Sequence, residues 1–310
     1  RGQYSVLPGM PNVIYYRASD GAAPSTHALR MTDHRNDGSA GNVLCSAKDY
    51  LSIQYLHIKG AFPLSVGTTG AGGLAFSDCE NVSADYITST YNLAGISIDG
   101  GVNVTLGSNI VSTLNLAVGL TMEATPVAVS GVNVSGTYSR SNNMPVYATN
   151  AQTVGYAYYG DCIGIGENGG TFTGIVIDGV IAEYCGAPDN DTDQGGSAVY
   201  VGSASAMSAG VSVKRSVLRF NHGCGLHMGD EWTGGDITGN IVQGNSRGQT
   251  TGTCLFAMWM DLRSTGATWI GGKFANNTVF GNFGSRAISF DNSVVGNTLT
   301  FRNNIFSGNN

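Results

Sequence analysis

The chain has 310 residues, with 46 glycines, 26 asparagines, 7 prolines and only 12% charged residues. Glycine at roughly twice and charge at about half the usual share of a globular domain demand a structural cause. The lack of a three-residue glycine period excludes collagen, and 42% hydrophobic residues with a net charge of −6 exclude a disordered chain.

No apolar run approaches the 18 or so residues of a spanning helix, so no membrane span is expected. The 15 Lys and Arg are scattered singly and form no basic stripe, which argues against nucleic acid as a partner and leaves a glycan open.

Residues 1–44 carry Pro8, Pro11 and Pro24 and a polar run over 32–38. They are expected to cap the open end of the repeating region that starts at residue 45. The chain begins at Arg1 without an initiator methionine or an apolar leader, so either a leader has been removed or a longer polypeptide has been excerpted.

From residue 45 a phrase recurs: a small residue, an apolar one, a variable one, a second apolar one, then usually an acid or glycine. It stands at 95–99 (GISID), 119–123 (GLTME), 198–202 (AVYVG), 225–229 (GLHMG), 257–261 (AMWMD) and 287–291 (AISFD), with a variant at 163–166 (IGIG). Alternation at period two predicts strands. A second phrase ends in asparagine, at 217–221 (VLRFN), 241–245 (IVQGN), 278–282 (TVFGN) and 305–309 (IFSGN), and those asparagines lie 24, 37 and 27 residues apart.

A constant strand phrase at variable spacing is what parallel strands produce when stacking fixes them and turns are free to lengthen. One coil cannot bury its own apolar face, so coils stack about 4.8 Å apart and like side chains form columns. An asparagine once per coil bonds its amide to the next coil, the role expected of Asn221, Asn245, Asn282 and Asn309. The chain stops at Asn310 directly after such a phrase; an open solenoid edge invites strand addition, so further sequence or a partner chain is expected there.

These phrases resemble the right-handed parallel β-helix superfamily, the pectate-lyase-like and tailspike-like group that carries asparagine ladders. The resemblance covers 45–310 and implies an all-β fold: a single-stranded right-handed parallel β-helix of roughly nine coils behind the capping segment over 1–44. It identifies a fold and not an enzyme, since the paired Asp, Gly-His-Gly and Arg-x-Lys of polygalacturonases and the Asp-Pro-His-Asp of alginate epimerases are absent. It implies a secreted or virion-surface protein that binds, cleaves or modifies a polysaccharide. Tailspike-like relatives often trimerise, so a homotrimer is one arrangement it implies.

The variable residue of the first phrase is expected to point outward, giving a surface column of Ser97, Thr121, Gly164, Tyr200, His227, Trp259 and Ser289. Aromatic faces at successive coils would form a platform for sugar rings. The links 142–162, 186–197 and 246–254 are long and would wall a groove over Tyr200, His227 and Trp259. Glu167, Asp230, Glu231, Asp261 and Arg263 follow the outward positions, with Asp99, Glu123 and Asp291 further along the column. Asp230 or Glu231 with Asp261 suits glycoside hydrolysis; His227 or Tyr200 with Arg263 or Arg247 suits elimination from a uronate. Arg219, on another strand, is expected to serve solubility; a second groove lined by Arg219 and Arg247 is the alternative, which nothing in the spacing prefers. A non-catalytic glycan-binding adhesin or tail-fibre shaft is the other class of reading.

No cofactor is required by this chemistry. The loop over 189–195 alternates Asp189, Asp191 and Asp193 as calcium loops do, yet lacks the sharp-turn glycine and closing glutamate of that pattern, so calcium and a solvated acidic turn both stay open. Cys45, Cys79, Cys162, Cys185, Cys224 and Cys254 show no C-x-x-C spacing, which leaves small core residues or disulfides.

Overall fold

The computed structural model describes residues 4–6, 14–16, 43–59, 72–92, 94–115, 118–124, 128–140, 160–166, 171–186, 196–202, 207–229, 231–247, 254–261, 269–291 and 299–309. Tyr4–Val6 and Ile14–Tyr16 pair antiparallel. From Val43 onward the strands pair in parallel.

Four sides make up each circuit. On the first side, Val43–Ser46 is succeeded by Gly72–Glu80, Ala94–Val102, Val118–Glu123, Ile163–Ile165, Val199–Val201, Leu226–Gly229, Phe256–Asp261 and Arg286–Asp291, each hydrogen-bonded to the one before. The second side runs from Val129–Ser130 to Trp269–Ile270. The third and fourth sides both begin in Ser52–Lys59 and Ser83–Thr90, which run across the corner between them, and end in Leu299–Arg302 and Ile305–Ser307. The chain visits the four sides in turn and climbs one strand spacing per circuit. It is a single-stranded right-handed parallel β-helix, with the hand that parallel crossovers almost always take.

Period-two alternation fills the interior. Leu74, Ile96, Leu120, Ile163, Val199, Leu226 and Met258 form one buried column of the first side, and Leu106, Val134, Ile177, Val213, Ile237 and Phe274 form a buried column of the third. Burying each such side chain contributes about 1.5–3 kcal/mol. At the last coil these columns end in Ile288 and Phe301, and Phe290, Phe301 and Phe306 there are 42%, 45% and 39% exposed. Phe301 stacks on Phe274 with centroids 4.7 Å apart.

The expected asparagine ladder stands at the corner between the fourth and first sides. Asn221 donates its backbone N–H and its amide to Oδ1 of Asn245, at 3.1 and 2.9 Å. Asn245 repeats this toward Asn282, and Asn282 toward Asn309. Each amide also donates to a backbone carbonyl of the preceding coil, as Asn245 does to Leu218 at 2.9 Å. The same corner holds Asn92, whose N–H donates to Oδ1 of Asn115. A second ladder, Asn240, Asn277 and Asn304, stands at the corner between the third and fourth sides.

Immediately before each rung of the first ladder the backbone is left-handed. Gly244 (φ 62) and Gly281 (φ 59) fill that position in the later coils, as a left-handed residue favours. In earlier coils it holds Tyr91 (φ 54), Tyr184 (φ 57) and Phe220 (φ 58), at a cost of roughly 1–2 kcal/mol each relative to a right-handed conformation.

Four cysteines form two disulfides, Cys162–Cys185 and Cys224–Cys254, while Cys45 and Cys79 are buried thiols. Disulfides and small core residues, both open in the sequence, are thus both realised.

Candidate functional site

The outer face of the first side carries two columns of side chains. In the first, register places Tyr200 beside His227 and His227 beside Trp259. The Tyr200 ring meets His227 edge-on at 4.8 Å, and His227 stacks on Trp259 at 4.3 Å with 17° between planes. The rings align as expected, but they do not form an open platform. His227 is 1% and Trp259 6% exposed, and only Tyr200 is half-buried. Trp259 packs with Cys224, Cys254 and Phe256, so the disulfide between adjoining coils and a neighbouring ring cover part of the face that sequence periodicity alone reads as outward.

The second column, two residues further along each strand, runs Asp99, Glu123, Gly166, Gly202, Gly229, Asp261 and Asp291. Asp99 is in register with Glu123, and Asp261 with both Gly229 and Asp291. Glycines in three consecutive coils leave a narrow furrow in this column, and it is packed rather than open: a side-chain carbon on Gly166 would lie 3.1 Å from the Phe172 ring, and one on Gly202 3.1 Å from Gly229 and 3.4 Å from the Tyr200 hydroxyl.

At one end of the furrow Asp99 and Glu123 form a carboxyl pair on adjoining strands. Glu123 is 7% exposed. Burial first, then the charges of Glu123 and Asp78, push the Asp99 carboxyl up to about 7. Ser97 and Thr121, two residues upstream on the same strands, are 0% and 3% exposed. Their hydroxyls and Oδ1 of Asp99 have no hydrogen-bond partner among the described residues. Buried polar atoms left so are costly to the fold. In the sequence the pair is legible only as two acids further along the column, because nothing there tells which acids burial will shift.

Other expected site residues separate. Glu231 opens a strand of the second side, where it pairs in register with Met207, and so does not stand beside His227. A residue's distance along the chain from His227 misleads here because Glu231 already belongs to a strand of the next side. Arg247 lies at the corner of the fourth side, over the rings of Phe220 and Phe283 at 5.6 and 5.9 Å, not beside Tyr200. Glu167, Asp189, Asp191, Asp193, Asp230 and Arg263 lie outside the described residues, as do most of the three long links. Asp261 keeps its expected strand position by register.

The fourth side carries a charged cluster around Arg219 that goes beyond the solubilising role expected of that residue. Glu183, 4% exposed, accepts hydrogen bonds from the Tyr138 hydroxyl at 2.7 Å and Arg219 Nε at 2.6 Å, with Arg140 Nε at 3.6 Å. Burial opposes its ionisation, but Tyr138, Arg219 and Arg140 together outweigh burial and hold its carboxyl below the usual range. Asp161, at the start of a coil, is fully covered; burial pushes it up to about 8 despite a 2.6 Å hydrogen bond from the Ser197 N–H. No cluster of three or more His, Cys, Asp or Glu with metal-binding geometry occurs among the described residues.

The fold and this face define a class: a parallel β-helix whose first side carries the Asp99–Glu123 carboxyl pair and a packed row of rings. No protein-family model matches the chain, and no curated protein matches it. Among solved structures it is similar to an alginate lyase from Paenibacillus sp. strain FPU-7, at 15% identity, with a TM-score of 0.44 over 86% of this chain and 88% of that one. It is also similar to the A-module of a mannuronan C-5 epimerase from Azotobacter vinelandii, at 10% identity, with a TM-score of 0.33 over 86% of each chain.

Proposed function

We propose that the protein is a polysaccharide-degrading β-helix enzyme that hydrolyses a glycosidic bond at Asp99 and Glu123. The observation that carries this reading is the in-register pair of acids, one held protonated near neutral pH and the other nearly buried beside it. Two carboxyls whose surroundings push them apart in acidity divide into an acid and a base or nucleophile. Asp99 gives its proton to the leaving oxygen, and Glu123 attacks the anomeric carbon from the opposite face. Adjoining strands lie about 4.8 Å apart, which favours the closer, retaining spacing of about 5–5.5 Å over the inverting one.

In this reading the polysaccharide reaches the Asp99–Glu123 pair along the first side, on which half-buried Tyr200 also stands. His227 and Trp259 stiffen the wall behind Tyr200 and do not touch substrate. A second reading, elimination from a uronate with Tyr200 as base, is favoured by the Tyr200 hydroxyl poised over Gly202. Two disulfides favour an oxidising, extracellular setting.

The test is incubation with capsular, algal and plant polysaccharides, following reducing ends and the absorbance of unsaturated uronates. Reducing ends alone, abolished in Asp99→Asn and Glu123→Gln proteins of unchanged melting temperature, are expected. Both signals together, abolished in Tyr200→Phe, would establish the elimination reading instead. Retention of a glycan with neither signal would make the protein a binder.

A further inference from the structure

The corner between the fourth and first sides, away from the furrow, carries a row of rings and guanidinium groups. Arg140 lies over Tyr184 at 5.0 Å. Arg219 and Arg247 both lie over Phe220 at 5.6 Å, and Arg247 also lies over Phe283 at 5.9 Å. Tyr184 and Phe220 themselves meet at 5.4 Å. Tyr184 is 38% and Phe283 56% exposed. The row climbs along the helix axis, coil by coil.

The row concentrates positive charge in a chain of net charge −6: Arg140 and Arg219 share one acid, Glu183.

We propose that this corner is a second glycan-binding surface, and that its ligand is an acidic polysaccharide bearing carboxylates, laid along the helix axis. Ring faces stack on the C–H faces of sugars. Guanidinium groups pair with carboxylates in a fork geometry that an ammonium does not provide. Glu183, tied to Arg140 and Arg219, orients those two side chains, while Arg247 has no ion pair among the described residues and is exposed. The surface would hold a long chain to the protein independently of the furrow.

The test is isothermal titration of the full chain with polygalacturonate, a neutral glucan of equal length and inorganic polyphosphate, at low and high salt. Polygalacturonate is expected to bind, less tightly in salt, and Arg247→Ala and Phe220→Gly are each expected to weaken it by about 3- to 10-fold. Phe220→Gly puts glycine where the next coil already has Gly244, so its melting temperature should not fall. Unchanged binding in both variants overturns the proposal. So does equally tight binding of the neutral glucan, or polyphosphate binding of equal strength that ignores Phe220→Gly. If Phe220→Gly melts early and Arg247→Ala binds normally, the ring is structural and the proposal fails.

Discussion

His227 lies flat against Trp259, with ring centroids 4.3 Å apart, and has almost no solvent contact. It is therefore a packing residue between two rings, and its removal should act on stability before it acts on chemistry. His227→Ala is expected to cost about 2–4 kcal/mol by opening a cavity between Tyr200 and Trp259. His227→Phe, which restores a ring, should recover most of it. Urea unfolding of the three proteins checks this; a His227→Ala protein of normal stability and no activity would return the residue to the catalytic site.

Asp99 makes both stability and rate depend on pH. Its carboxyl is pushed from 3.8 to about 7, so between those values the unfolded chain has released a proton that the folded chain keeps. The unfolded state then binds fewer protons, and stability falls as pH rises from about 4 to 7. Asp99→Asn should flatten that part of the profile in urea melts at pH 4, 6 and 8. Hydrolysis, which needs the proton on Asp99, should decline as pH rises through about 7, and a rate still rising at pH 9 would contradict the assignment.

Asn245 accepts two hydrogen bonds from Asn221 and donates to Leu218 and Asn282, all within a buried corner. Asn245→Ala leaves several buried groups unpaired at once, each costing about 1–3 kcal/mol. Asn309→Ala, on the last described rung, should cost less because Asn309 is half-buried and bonds only to the coil before it, through Asn282 and Val279. Melting temperatures of the two variants, measured side by side, decide whether ladder position governs the effect.

Reduction should loosen the later coils. Cys224–Cys254 closes a loop of sequence separation 30 and lies against Trp259. By chain entropy its removal is expected to cost about 3–4 kcal/mol. Burial first, then Cys79, pushes the Cys45 thiol up to about 12, so neither free cysteine should react with iodoacetamide in the folded state. Mass spectrometry after native alkylation, with and without prior denaturation, reads both points.

The sequence carried the fold because a solenoid writes its own period. GISID, GLTME and AVYVG display alternation without any knowledge of their neighbours, and the phrases ending at Asn221, Asn245, Asn282 and Asn309 mark a corner each time. The second ladder has a signal of the same kind: NIVQGN, NTVFGN and NIFSGN begin as well as end with asparagine, at 240, 277 and 304. The closing asparagine alone locates one corner of the coil and passes over the other.

Tertiary structure alone decided which outward faces stay open and which acids meet. Alternation says that His227 and Trp259 point away from the interior, but the disulfide that joins Cys224 to Cys254 across two coils and lies against Trp259 is not encoded in either strand alone. Likewise Glu183 meets Arg219 across 36 residues and Tyr138 across 45. Coil lengths here vary with their turns, so lateral partners have no constant separation along the chain. Parity along a strand is a local property of the pleated backbone, whereas burial and charge pairing depend on everything stacked around it.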